Sequence, residues 1–110
     1  MATININTII QNAEQQISKL ATSTLSSYSK QAIADGNTFL QSVKNDIQTY
    51  TQQLADGTID QATFKTLMTN ETNLAEMDAL EQAGLAEAQI DNFTNGVINI
   101  IISAAMSAIP

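Results

Sequence analysis

Apolar residues recur at steps of three and four along almost the whole chain. From residue 6 to 55 the series is Ile6, Ile10, Ala13, Ile17, Leu20 with Ala21, Leu25, Tyr28 and Ala32. It continues as Phe39 with Leu40, Val43, Ile47, Tyr50 and Leu54. That spacing keeps one apolar stripe on one side of an α-helix. A second series follows from Asp60 towards Ile109: Met68, Thr72, Ala75, Ala79, Ala83, Ala86, Ile90, Phe93, Val97, Ile100, Ala104 and Ala108. The pattern predicts an all-α fold in a single helical domain covering residues 1–110, made of two helical arms, about 6–55 and 60–109.

The arms meet at Asp56-Gly57-Thr58-Ile59-Asp60-Gln61-Ala62-Thr63-Phe64. This stretch has the grammar of a helix-loop-helix turn. Gly57 suits the left-handed residue that ends a helix. Asp60 suits an N-cap, where its carboxylate accepts from amides of the next turn. Ile59 and Phe64 have the spacing of a hydrophobic staple. The same letters also resemble half of a calcium-binding EF-hand loop. If Gly57 stood at the sixth position, however, Leu54 and Thr63 would fall at ligand positions that need a side-chain oxygen and a bidentate carboxylate. No calcium site is expected.

Gly36 falls on the first seam, four after Ala32 and four before Leu40. A loop there usually resets the register, and the register carries through. One long helix with Gly36 inside it is therefore expected, at a cost of about 1 kcal/mol relative to Ala. The alternative is a three-helix bundle if the chain breaks at Asp35-Gly36. Gly84 also lies within its arm; a kink there is the alternative, although no proline or polar loop cluster surrounds it. Folded at the turn, the arms run antiparallel, with facing residues whose numbers sum to roughly 115. Gly36 then faces Ala79, Ala32 faces Ala83, and Lys44 falls beside Glu71. At 1.5 Å per residue each arm would be about 70 Å long.

The hairpin brings both chain ends together, and both are apolar. Ile4, Ile6, Ile9 and Ile10 come from one end; Val97, Ile98, Ile101, Ile102, Ala105 and Ile109 come from the other. No charge follows Asp91, and the polar residues Asn92, Asn95, Asn99, Ser103 and Ser107 make one narrow stripe. The partner arm covers only part of such a helix, so a second face needs covering. Three outcomes are open: burial in a compact bundle, a subunit interface formed by the ten residues above, or membrane contact. The segment is shorter than the ~20 residues of a simple spanning helix. It also lacks flanking Lys or Arg, so the membrane is the weaker expectation.

Composition narrows the chemistry. Lysine and arginine total 4 against 11 acids, giving a net charge of −7. The four lysines are scattered, so phosphate contacts and nucleic-acid binding are not expected. Cysteine, histidine, arginine and tryptophan are absent. That removes common zinc ligands, Ser-His and Cys-His pairs, and guanidinium clamps. Glu71, Glu76, Asp78, Glu81, Glu87 and Asp91 read as a solvated face. No catalytic, cofactor-binding, metal or small-molecule site is expected. The N-terminal stretch has no basic n-region and no continuous apolar core, so it is not a secretory signal. Cytoplasmic location is the default, with signal-less export left open.

The Ala/Thr/Asn/Gln/Ser-rich, cysteine-free and arginine-free composition is similar to that of self-assembling helical proteins such as flagellins and secretion needles. The likeness carries over no residues. The leading expectation is a non-enzymatic structural protein that self-associates into a bundle or filament. The alternatives are a membrane-active, pore-forming protein and an adaptor subunit of a larger machine.

Overall fold

The computed structural model describes residues 4–71 and 77–109. Thr72 and Ala75 of the second seam, Glu76 of the acidic run, and Pro110 lie outside the described residues. The described residues are all-α, with helices α1 (Ile6–Thr24), α2 (Ser29–Ser42), α3 (Lys44–Asp56), α4 (Gln61–Asn70), α5 (Asp78–Gln82) and α6 (Glu87–Ser107).

The helix starts follow from local chemistry. Asn5 caps α1, its Oδ1 accepting from the amides of Asn7 at 3.0 Å and Thr8 at 3.4 Å. Asp60 caps α4, accepting from the Thr63 amide at 2.7 Å. Between α3 and α4, Gly57 adopts φ +80. There the Thr58 amide donates to the Gln53 carbonyl at 2.9 Å and the Gly57 amide to Leu54 at 3.2 Å. This is a Schellman stop, in which a left-handed glycine lets the last carbonyls be satisfied. Phe64 is fully buried, and Ile59 packs half-buried against the core. The turn forms where the sequence places it.

The arms, however, are not straight. The first bends at Leu25, which takes φ −131 and ψ 52 and is followed by a single 3₁₀ turn, Ser26–Tyr28. The second bends at Ala83–Ala86, where Gly84 adopts φ +88. Here the Leu85 amide donates to Leu80 at 3.2 Å and the Gly84 amide to Glu81 at 3.0 Å. That is the same Schellman pattern as at Gly57. Gly36, by contrast, sits inside α2, so the break considered at Asp35-Gly36 does not occur. A milder interruption falls at Val43, with φ −106 and ψ 8. Val43 still donates to Phe39 and accepts from Ile47, so α2 and α3 form one bent rod.

The result corrects the long hairpin with arms 6–55 and 60–109. The molecule measures 46 × 22 × 19 Å, too short for arms of about 70 Å. Each arm is folded in two. The hairpin has in effect been doubled over: among the described residues α1 packs on α2 and α6, α4 on α3 and α6, and α5 on α2. The antiparallel register survives within it. Leu20 of α1 lies against Gly96 of α6, and Asp35 of α2 bonds to Ala79 and Leu80 of α5. These pairs keep the numerical sum near 115.

One continuous core joins the rods. It includes Ile9, Ile17, Leu40, Ile47, Phe64, Met68, Leu80, Val97 and Ile101, all with almost no exposure. Gly36 faces α1 and α6 rather than Ala79. A methyl built on it would stand 2.6 Å from Ile17 Cγ2 and 3.6 Å from Phe93 Cζ. Gly36 is thus the notch into which the terminal helices fit.

Candidate functional site

The feature that organises the molecule is the seam between two halves. The terminal half is α1 paired with α6. The inner half is α2–α3 paired with α4 and α5. Along α1 the seam uses Ile9, Ile10, Ala13, Ile17 and Ala21, all buried, at helical spacing. Along α6 it uses Ile90, Phe93, Val97, Ile101 and Ala104. The start of the described chain is pinned to the inner half, where the Ile4 amide donates to Gln52 Oε1 at 3.4 Å.

The ten residues expected at a subunit interface divide clearly. Ile4, Ile9, Ile10, Val97, Ile98, Ile101, Ile102 and Ala105 are all buried within this one chain. Ile6 and Ile109 are half-buried against the same core. The expectation that a second face of α6 lacks a partner is therefore corrected. Because the arms fold over, α6 meets α4 and α3 as well as α1. Among the described residues every Ile, Leu, Val, Met and Phe is buried or partly buried. No helix there is long and apolar enough to cross a membrane.

Between α1 and α6 the predicted polar stripe opens a groove of about 330 Å³. Asn12 and Gln16 line one side and Asn99, Ser103 and Ser107 the other. Beside the two bends lies a second hollow of about 280 Å³, lined by Leu20, Thr24, Leu25, Gln89, Asn92 and Phe93.

Two acidic arrangements escaped the sequence reading. Asp35 is 6% exposed, yet its carboxylate is fully used. It accepts from the amides of Ala79 at 3.1 Å and Leu80 at 2.8 Å, capping α5 from another helix. The signal was the isolated acid beside Gly36 on the seam. Glu71, expected beside Lys44, instead lies against Asp46 at the far end of α4. It is 6% exposed, and its Oε2 has no hydrogen-bond partner. Burial first, then a hydrogen bond with Asp46 and that group's charge, raise the Glu71 carboxyl above its ordinary value. Burial, followed by the charges of Asp46 and Glu71, also raises the Tyr50 hydroxyl.

The acids of the turn have structural work. Asp56 accepts from Gln52 Nε2 at 2.9 Å. The hydrogen bond from the Thr63 amide holds Asp60 below the usual carboxylate range. Among the described residues no three acidic side chains gather in a way that could hold a metal ion. Comparison with protein-family models, with curated proteins and with solved structures returns no match.

Proposed function

We propose that this chain is a non-enzymatic structural protein that self-associates through its apolar helix faces into a helical bundle or filament. The observation that supports this reading is the placement of apolar surface. Long aliphatic faces on α1 and α6 are matched to other helices, with Ile17 and Phe93 set against the Gly36 notch. Each fully buried Ile, Leu or Phe stabilises such a seam by roughly 1.5–3 kcal/mol. Within one chain these faces are already covered, so association between copies would reuse the same contacts through exchange of identical elements.

Light scattering across a range of concentrations, with negative-stain images of the same samples, tests the reading. Mass rising above 11.8 kDa with regular particles or fibres is the expected result. A constant mass of 11.8 kDa at every concentration would overturn it. Dye release from liposomes by the same samples would favour membrane activity instead.

A further inference from the structure

We infer that the chain exchanges its terminal helix pair, α1 with α6, with a second copy of itself, opening at Leu25–Tyr28 and Ala83–Ala86. This inference rests on the self-association reading and names the route.

The bundle is two helical hairpins laid face to face. Among the described residues only those two bends connect them. Both bends lie at the same end of the molecule. Thr24 and Leu25 share one hollow with Gln89, Asn92 and Phe93, just beyond the second bend. Counted along the antiparallel register, the bends face each other to within about one helical turn. The two halves can therefore swing apart as units. Leu20 against Gly96 travels with the terminal half, and Asp35 capping α5 stays with the inner half.

The bends are also made of residues that a helix accepts. Neither contains proline. Ala83, Leu85 and Ala86 are good helix formers, and Gly84 alone opposes them. The apolar period runs unbroken through both: Ala21, Leu25, Tyr28, Ala32 on one arm and Ala79, Ala83, Ala86, Ile90 on the other. A straightened arm thus keeps its stripe. Straightening bares the faces carrying Ile17, Phe93 and Gly36. A second opened copy covers them with identical contacts, related by a two-fold axis. Exchange of this sort is a low-cost route to dimers because it needs no new surface.

Gly84 supplies the lever. Its φ of +88 disfavours any side chain, while a methyl there would meet nothing within 4 Å. Gly84→Ala therefore acts on the backbone alone. It penalises the bend and favours a continuous helix, lowering the midpoint concentration of dimerisation about tenfold for each relieved bend.

The test uses the full chain, which has no native cysteine. Ile17→Cys and Gly36→Cys are made as separate single variants, each in the Gly84→Ala background, then mixed and oxidised. A β-carbon at position 36 lies close enough to residue 17 for a disulfide. In closed monomers the two sulfurs sit in different molecules. In an exchanged dimer they meet. A covalent species of about twice 11.8 kDa on a non-reducing gel is the expected result. Light scattering of Gly84→Ala without cysteines, alongside the parent chain, gives a second readout that does not disturb the core. Association that rises with concentration but gives no 17–36 cross-link overturns exchange and leaves self-association standing. A monomer at all concentrations, in the parent and in Gly84→Ala alike, overturns both.

Discussion

Replacing Gly36 by alanine sets two known effects against each other. Within α2 the substitution removes a helix-interior glycine, worth about 1 kcal/mol in favour of alanine. The added methyl, however, would stand 2.6 Å from Ile17 Cγ2. That atom is attached directly to Cβ of a fully buried, β-branched residue, so it has no free torsion by which to withdraw. Overpacking of this kind costs about 1–3 kcal/mol. Gly36→Ala should therefore leave the protein less stable by up to about 2 kcal/mol, the clash outweighing the propensity gain. Ile17→Ala alone should cost about 2–5 kcal/mol by opening a cavity. In the double variant the clash is gone, the propensity gain remains, and the new methyl fills part of the cavity. Gly36→Ala should then change sign and stabilise. Urea unfolding followed by circular dichroism measures all four proteins of the cycle. A coupling of about 1–3 kcal/mol corresponds to a midpoint change of roughly half a molar or more. If Gly36→Ala has the same effect with and without the Ile17 side chain, the packing of α1 into the α2 notch is wrong.

Gly96→Ala places its methyl at a similar distance, 2.7 Å, from Leu20 Cδ2. That atom is the tip of a flexible, half-buried side chain, so thermal melting should show a neutral or slightly stabilising change; a loss above about 1 kcal/mol would contradict this. Asp35→Ala orphans the amides of Ala79 and Leu80 and should cost about 1–3 kcal/mol, with faster hydrogen exchange at those two amides and partial recovery in Asp35→Asn. Unchanged exchange there would remove the inter-helix cap. The Glu71 carboxyl is raised above the ordinary carboxylate value in the fold, so its favourable contribution is complete below that ordinary value and is lost as pH rises through the folded value. Glu71→Gln should match the parent near pH 4 and exceed it by about 1 kcal/mol at pH 7, as read from urea midpoints. An equal stability difference at both pH values would rule out the raised Glu71 carboxyl.

The all-α class and the Asp56–Asp60 turn were legible because each depends on neighbours along the chain. Ile17, Phe93 and Gly36 could be assigned to seams, but not to one another. The bends were hidden for a physical reason. A stripe at steps of three and four reads the same in a straight arm and in one folded over, because folding places the same stripe against a different neighbour. No proline marks either bend. Gly84 did carry a signal: like Gly57, it is followed by the hydrogen bonds of a Schellman stop, with Leu85 buried beside it. It lacked a polar cluster of the kind that surrounds Gly57. Glu71 was misassigned because a uniform register put it beside Lys44, whereas in the fold it lies against Asp46. Misplacing the bends also misassigned the second face of α6, where Ile98 and Ile102 serve the core. Acidic substitutions there would probe folding before association.

The doubled-over hairpin also fixes an order of events during synthesis. The inner half is contiguous in sequence, and α1 can dock on α2 across the bend at Leu25 as soon as both exist. Closure of α6 on α1 is different, since Leu20 must find Gly96 across most of the chain, and such distant closure is the slow kind. Yet α6, whose faces are the most apolar, emerges from the ribosome only after every helix it packs against. Its exposure as a free, adhesive segment is thereby confined to the last step of folding, when a prepared groove is already waiting.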